Sequence, residues 1–380
     1  MRNILQCVTK CVFLVLISMP ASAKEPLVIA SGIGRDAPQQ PQAVIDEAGT
    51  VHLVYGAGNT VFYCQSRGAG AREAGTVWSK PVQAFQVPNQ ALGMRRGPRI
   101  AISKKSIVVT AIGGLKGKGR DGDVLAWRSS DDGATWEGPV HVNDTTDSAR
   151  EGLHAMAAGD DGTVWCAWLD LRDKKTEVYI SRSTDHGATW QLNICVYRSP
   201  DGSVCECCHP SVIVSGKAVH ILFRNSLSGN RDMYVTTSTD GGGSFSKAVK
   251  LGLGTWELDA CPMDGGMLTT GLKGEVVTVW RRDSNVYAAT ADGTPEQLLG
   301  TGQQPWVTSS ASGPVIVWTT GRDGDLLLRS PGEDQPKTLA RGARDAVICS
   351  GRNGNGPIVC CWESKRDGKS VVMSQILDAK

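Results

Sequence analysis

The sequence predicts an all-β protein, and three observations support that prediction. Glycine is abundant, with 45 among the 380 residues. Short runs of valine, isoleucine, threonine and tryptophan alternate with turn residues along the whole chain. No long segment has the apolar period of a helix. Short apolar runs bounded by turn residues are typical of strands, so we expect many strands joined by tight turns.

The first 23 residues have the pattern of a secretory signal peptide. Arg2 and Lys10 supply a basic start, residues 12–19 form a short apolar run, and Ala21-Ser22-Ala23 offers a small-residue cleavage site. We expect cleavage after Ala23, a single domain over residues 24–380, and a secreted or periplasmic location. The apolar run is too short to span a bilayer, and no later stretch approaches the roughly 18 apolar residues that a span needs.

The charge is nearly balanced. The chain has 40 basic and 38 acidic residues, which gives a net charge of +2. Such a balance provides no broad electrostatic surface for nucleic acid or an anionic membrane. We therefore expect neither as a partner and look for local binding sites instead.

One eight-residue pattern occurs three times. It reads Ser-x-Asp-x-Gly-x-Thr/Ser-aromatic, and its aspartates are 54 and 55 residues apart. Asp and Ser side chains can bond the amides of a turn, Gly can take a positive φ, and an aromatic residue can pack back between sheets. The pattern residues are Asp131, Gly133 and Trp136, Asp185, Gly187 and Trp190, and Asp240, Gly242 and Phe245.

This pattern resembles the Asp box of the sialidase-like (BNR repeat) superfamily. The resemblance implies a β-propeller, with each box at the turn between the third and fourth strands of a blade. The regular spacing separates the boxes from ordinary hairpin turns.

A second repeat allows the blades to be counted. Seven apolar runs, most ending in an aromatic residue, predict seven second strands. The segment after Arg344 supplies three strands, around Val347, Val359 and Val372, and Leu27 to Ser31 could supply the fourth. We therefore expect seven four-stranded blades closed by the N-terminal strand, with six blades, the usual number in the sialidases, as the alternative. The seven runs are Val51–Tyr55, Ile107–Ala111, Val164–Trp168, Val219–Phe223, Val276–Trp280, Val315–Trp318 and Ile358–Trp362.

Two cysteine-containing segments precede the first strands of adjacent predicted blades. Propeller topology places such segments on the face opposite the Asp boxes, near the central funnel that usually takes the ligand. Their cysteine, histidine and methionine side chains suit copper(I) or zinc. In an exported protein the same cysteines could form a disulfide to Cys261 instead. The candidate metal ligands are Cys205, Cys207, Cys208, His209, Cys261 and Met263. Cys205, Cys208 and His209 also match the c-type haem pattern, but the intervening Cys207 and the following Pro210 do not suit it.

The catalytic residues of sialidases do not transfer by motif. The resemblance implies a Tyr nucleophile late in the chain, yet the last tyrosine is Tyr287. It also implies an N-terminal Arg-Ile-Pro motif, whereas Arg99-Ile100 is followed by Ala101. If the protein is a divergent glycoside hydrolase, we expect its catalytic groups among Asp264, Glu257, Asp259 and Arg282, with Glu151 and Arg99 as further candidates.

Three functions remain open from the sequence. The first is a propeller that binds or hydrolyses a glycan in the funnel. The second is a copper or zinc protein that uses the cysteine segments. The third is a module that binds a ligand or partner without chemistry.

Overall fold

The computed structural model describes residues 25–67, 77–291 and 295–377. The predicted signal segment, residues 1–23, lies outside this part of the chain. The described residues form 28 strands and two short 3₁₀ helices, Gly34–Asp36 and Arg352–Gly354, and contain no α-helix. The all-β prediction is confirmed. No helix in the described ranges is long and apolar enough to cross a membrane.

The strands follow one another in antiparallel sheets. The first strand, β1, is Leu27–Gly32. The first sheet contains β2 (Gln39–Ile45), β3 (Val51–Ala57), β4 (Thr60–Arg67), β5 (Val77–Trp78) and β6 (Val82–Gln86). The second contains β7 (Arg99–Ser103), β8 (Ser106–Gly113), β9 (Asp123–Ser129) and β10 (Glu137–His141). The third contains β11 (His154–Ala158), β12 (Val164–Asp170), β13 (Glu177–Ser183) and β14 (Ile194–Tyr197).

The remaining strands continue this order. The fourth sheet contains β15 (Ser211–Ser215), β16 (Ala218–Arg224), β17 (Met233–Ser238) and β18 (Val249–Lys250). The fifth contains β19 (Met267–Thr270), β20 (Val276–Arg282), β21 (Asn285–Thr290) and β22 (Gln297–Thr301). The last strands are β23 (Gln303–Ser310), β24 (Gly313–Thr319), β25 (Gly324–Arg329), β26 (Lys337–Ser350), β27 (Ile358–Arg366) and β28 (Lys369–Leu377).

The long strand β26 pairs with a different strand along each half of its length. Its first half pairs with β25, where Ala340 lies opposite Leu326, and its second half pairs with β27, where Ile348 lies opposite Cys360. The N-terminal strand β1 pairs antiparallel with β28, and Leu27 lies opposite Ser374. The two ends of the chain are therefore joined in one sheet, as the sequence predicts.

The first strands of the sheets form a closed ring. Contacts run from β2 to β7, β11, β15, β19, β23 and β26, and β26 contacts β2 again. These inner strands surround a central channel of about 330 Å³. The seven predicted apolar runs fall on β3, β8, β12, β16, β20, β24 and β27, each of which pairs with an inner strand.

The aromatic residues of these runs fill the spaces between sheets. Trp168, Trp280, Trp318 and Trp362 are fully buried. Trp280 packs with Leu222 of the preceding sheet, and Trp318 packs with Val279 in the same way. Burial of a large aromatic side chain contributes on the order of 3 kcal/mol. The tryptophans therefore explain why an aromatic residue recurs on these strands.

Candidate functional site

The three Asp boxes form equivalent turns on one face of the ring. Each lies between the third and fourth strands of its sheet, as in the turn between β9 and β10. Ser129 Oγ donates to Asp131 and accepts from the Gly133 amide at 2.9 Å, and Asp131 accepts from the Thr135 amide at 2.9 Å. The boxes of Asp185 and Asp240 repeat these bonds. Because the polar side chains of each box bond groups of the same turn, we expect a ligand site on the opposite face.

The opposite face carries the links between successive sheets, and we call it the link face. A pocket of about 270 Å³ opens there. This volume lies near the lower end of the roughly 300–1,000 Å³ typical of small-molecule sites, so it suits a ligand as small as one sugar unit. We call it the arginine pocket after Arg281, Arg322 and Arg344 in its wall.

Two carboxyl groups line the floor of this pocket. Asp264 is only 1% exposed, and its Oδ2 accepts a hydrogen bond of 2.7 Å from the Gln304 amide. Asp345 is also buried, and its amide donates to Gln304 Oε1 at 3.3 Å. Burial raises the pKa of Asp264, although the Gln304 hydrogen bond and the charge of Arg224 act in the opposite direction. Asp264 therefore holds a proton more readily than an exposed aspartate does.

The three arginines differ in how firmly they are held. Arg281 lies 3.9 Å from Asp264 and places its guanidinium over the ring of Trp256. Arg344 forms an ion pair with Asp323, and Arg322 is exposed to solvent. Guanidinium groups bind carboxylates through paired hydrogen bonds. The pocket therefore presents positive charge to an incoming anion above an acidic floor.

The backbone at the pocket is strained. Met263, Gln304 and Asp345 have φ values of 53°, 55° and 48°, in the left-handed region that non-glycine residues seldom occupy. Gln304 lies at the start of β23, Met263 lies four residues before β19, and Asp345 lies within β26, where its pairing with β27 begins. Such strain persists only where the surrounding structure enforces it, and it clusters at functional sites.

Buried cations and aromatic rings separate the pocket from the central channel. Arg95 is 2% exposed, donates to the carbonyls of Ala346 and Gln304 at 2.9 Å, and lies over Trp306. Trp256 is held between the guanidinium groups of Arg224 and Arg281. Both tryptophans are packed inside the protein, so neither offers a free ring to a sugar.

The three cysteines of residues 205–208 lie together. Cys205 Sγ is 3.7 Å from Cys207 Sγ and 3.5 Å from Cys208 Sγ, and all three sulfurs lie within 4.8 Å of one another. We call these residues the cysteine cluster. Hydrogen bonds from the Cys207 and Cys208 thiols lower the pKa of Cys205. Met263 packs against the cluster, and the Cys261 side chain lies beside Cys207. No disulfide joins the cysteines in the described ranges.

His209 does not join its predicted partners. Its ring stacks on Trp306 at 5.7 Å and lines the channel, and it is not part of the group of three sulfurs. Burial lowers the pKa of His209 well below its ordinary value, so the ring is neutral. Cys205, Cys208 and His209 are all at least 98% buried. This burial leaves no surface on which a c-type haem could attach.

The structure places the predicted catalytic residues in different regions. Asp264 lies in the arginine pocket, whereas Glu257 and Asp259 are exposed on the link before it and do not line it. Arg282 forms an ion pair of 2.6 Å with Glu296 and lies over the ring of Tyr287. It points away because neighbouring side chains on a strand alternate in direction, which turns Arg281 to the pocket instead.

Sequence reasoning missed most of the pocket. Arg281, Arg344, Gln304 and Asp345 line it without belonging to a motif, whereas Arg322 belongs to an Arg-Asp pair that recurs at or after the ends of six of the seven second strands. For the other four residues the available signal was position, because each lies near the end of a second strand or near the start of the inner stretch that pairs with a second strand. No tyrosine lines the pocket, so the sialidase nucleophile has no counterpart among its residues.

Comparisons with known proteins agree with this architecture. Residues 116–261 match the family described as a BNR repeat-like domain. No curated protein matches the chain. The predicted resemblance to the sialidase-like, BNR-repeat proteins is confirmed.

Three solved structures illustrate the fold. A protein of unknown function from Dyadobacter fermentans has 15% identity and a TM-score of 0.53, over 95% of this chain and 100% of that one. A GH93 α-L-arabinofuranosidase of Fusarium graminearum, in complex with arabinobiose, has 16% identity and a TM-score of 0.54, over 77% and 96%. A Hadza microbial sialidase has 14% identity and a TM-score of 0.52, over 90% and 65%. Identities this low indicate the β-propeller fold alone.

Proposed function

We propose that this BNR-repeat β-propeller binds glycans, and that its arginine pocket receives the carboxylate of an acidic terminal sugar. The observation that carries the proposal is the convergence of Arg281, Arg322 and Arg344 on one pocket of the link face. The similar structures include enzymes that act on glycans, such as the Fusarium graminearum arabinofuranosidase and the Hadza microbial sialidase. The small volume and the positive wall together favour one sugar unit with a negative charge.

Calorimetry with acidic and neutral oligosaccharides tests this proposal. We expect sialyl- or uronate-terminated glycans to bind and their neutral counterparts to bind much more weakly. Arg322→Ala and Arg344→Ala should each weaken binding by about 10- to 100-fold, because a hydrogen bond to a charged group contributes about 1.5–3 kcal/mol.

Arg366→Ala is the matched control, since Arg366 is exposed at the end of β27, on the link face but outside the pocket. Equal binding of neutral and acidic glycans would contradict the proposal. So would an equal loss of affinity in the Arg366 variant.

Hydrolysis of the bound sugar is the second part of the proposal. Asp264 is the candidate proton donor, because it is the buried carboxyl in the pocket floor and burial raises its pKa. We expect the protein to release a terminal sugar from glycans that it binds. Asp264→Asn keeps an oxygen that can accept from Gln304 but has no acidic proton, so release should fall by about 100-fold or more while binding persists. Binding without any release by the unaltered protein would leave a binding module and refute the hydrolytic part.

Two structural expectations remain part of this proposal. We infer seven blades, and the closed contacts among seven inner strands support that number over six. We also propose that the protein is exported, on the basis of the signal pattern in residues 1–23.

A further inference from the structure

The cysteine cluster is built by the link between the third and fourth sheets. The link is anchored where the Cys205 amide donates to the Arg224 carbonyl at 3.0 Å, and Val204 forms a bridge with Asn225 at the end of β16. Cys205, Cys207 and Cys208 are 0%, 7% and 1% exposed. Three thiols are thus held inside the protein by a fixed backbone.

The spacing of these sulfurs matches a metal site. Sulfurs at the corners of a tetrahedron around an ion, with bonds of about 2.3 Å, lie roughly 3.8 Å apart. Cys205 Sγ lies 3.7 Å and 3.5 Å from its two neighbours. A disulfide would require about 2.05 Å. The cluster therefore outlines three corners of a tetrahedron.

The next link of the chain brings a fourth cysteine beside the cluster. Cys261, between the fourth and fifth sheets, lies beside Cys207, although its sulfur is not among the three that lie within 4.8 Å of one another. Cys261 is exposed, which leaves this corner accessible to an entering ion. Met263 packs on the cluster.

The surroundings suit sulfur ligands that carry negative charge. The Asp264 amide points at Cys208 Sγ from 3.4 Å, in the manner of the outer hydrogen bonds that orient metal ligands. This amide would help to hold the Cys208 sulfur in place as a ligand.

We propose that Cys205, Cys207, Cys208 and Cys261 form a four-sulfur site for a soft cation of the zinc type. Four thiolates in tetrahedral array are characteristic of structural zinc, whereas copper(I) is also satisfied by soft sulfur sets of other geometry. The site joins two successive links. The link that carries Cys261 continues through Met263 to Asp264. An ion bound to Cys261 would therefore hold Asp264 in place in the floor of the arginine pocket.

Metal binding by the full mature chain, purified without chelator or reductant, tests the site. We expect one zinc per chain by elemental analysis. We also expect cobalt(II) to give the thiolate charge-transfer and strong visible bands of a tetrahedral sulfur site. Competition with a chromophoric chelator then gives the zinc affinity. Cys205→Ser and Cys261→Ser should each weaken zinc binding by at least about 100-fold, since each removes one of four ligands.

Two features keep this test decisive. Cys195→Ser is the control, because Cys195 is half-buried between Glu177 and Tyr197, away from the cluster, and this variant should keep full affinity. Cys205 is buried and its variant could fold poorly, whereas Cys261 is exposed and its variant should keep the circular dichroism of the unaltered protein.

Three results would overturn the proposal. The first is unchanged zinc affinity in both cluster variants. The second is a disulfide between any two of the four cysteines, found by mass spectrometry of protein from its own compartment. The third is tight copper(I) binding that depends on Cys205 but not on Cys261, without zinc binding, which would replace the four-sulfur site by a three-thiolate copper site.

Discussion

Two consecutive arginines on β20 take opposite roles because their side chains point in opposite directions. Arg281 faces the arginine pocket and approaches Asp264 at 3.9 Å. Arg282 turns to the other side, where Glu296 holds its guanidinium at 2.6 Å. A substitution at either position therefore probes a different part of the molecule, although the residues are neighbours of the same type.

Glu363 gives a prediction at the level of a single residue. It is 7% exposed and accepts hydrogen bonds from the amide and the side chain of Gln40 at 2.7 and 3.0 Å. Burial, together with the charge of Asp345, raises the pKa of Glu363 to about 7. The raised pKa means that the folded protein holds this proton more tightly than the unfolded chain does. The proton on Glu363 therefore stabilises the fold fully below about pH 4.5. This stabilisation, on the order of 3 kcal/mol, is lost as the pH rises to about 7.

Glu363→Gln should remove this pH dependence, because the amide oxygen still accepts from Gln40 but does not ionise. Urea unfolding from pH 4.5 to 8 measures the difference between the variant and the unaltered protein. We expect the variant to be more stable above pH 7 and the difference to shrink toward pH 4.5. Glu257→Gln, at an exposed position, serves as control. A difference that stays constant with pH would show that Glu363 does not titrate in this range.

At the scale of elements, the Asp-box turns pack closely against the preceding sheet. In the third box, Gly242 has a φ of 84°, and a Cβ there would lie 2.3 Å from the ring of Trp165 in the preceding sheet. In the first box, Gly133 meets Tyr63 of the preceding sheet in the same way. The glycine therefore permits both the turn and the close approach of one sheet to the next.

Gly242→Ala and Gly229→Ala separate these two requirements. Gly229 has a φ of 80°, but a Cβ at this position would meet nothing within 4 Å, so its variant should lose only about 1 kcal/mol from backbone strain. Gly242→Ala adds the clash with Trp165 and should cost about 1–3 kcal/mol more. Thermal unfolding of both variants gives the comparison. Equal losses would mean that the sheets can move apart without cost.

At the scale of the whole molecule, the N-terminal strand β1 completes the last sheet. This strand pairs with β28 and packs Ile29 into the core of the first and last sheets. Without it, β28 would present an unpaired edge. The last sheet therefore depends on a strand from the opposite end of the chain.

Removal of β1 tests its importance for the last sheet. A chain that starts at Ile33 should lose at least about 3 kcal/mol of unfolding free energy, from lost burial and ladder hydrogen bonds, and should associate through the exposed edge. A chain that starts at Leu27 keeps β1 and is the control. Denaturant unfolding and sedimentation measure both effects. Identical stability of the two chains would rule out a stabilising role of β1.

Features that depend on residues close together in the chain could be predicted from the sequence alone. The box pattern predicted turns because Ser129, Asp131 and Gly133 bond one another within a few positions. The apolar runs predicted second strands because strand burial follows local residue order. The chain ends were predicted to meet because the last sheet lacked a fourth strand.

The choice of side chains that form the candidate sites depends instead on tertiary packing. The arginine pocket combines residues that are as far apart in the chain as Met94 and Asp345. The alternation of side-chain direction along β20 selected Arg281 over Arg282. Asp264 and Met263 were found from the sequence because they lie beside a recognisable cysteine. Asp345 and Arg344 were not, because their spacing carries no pattern. The same packing joined three cysteines and turned His209 toward Trp306, since the direction of a buried side chain is set by neighbours that are distant in sequence.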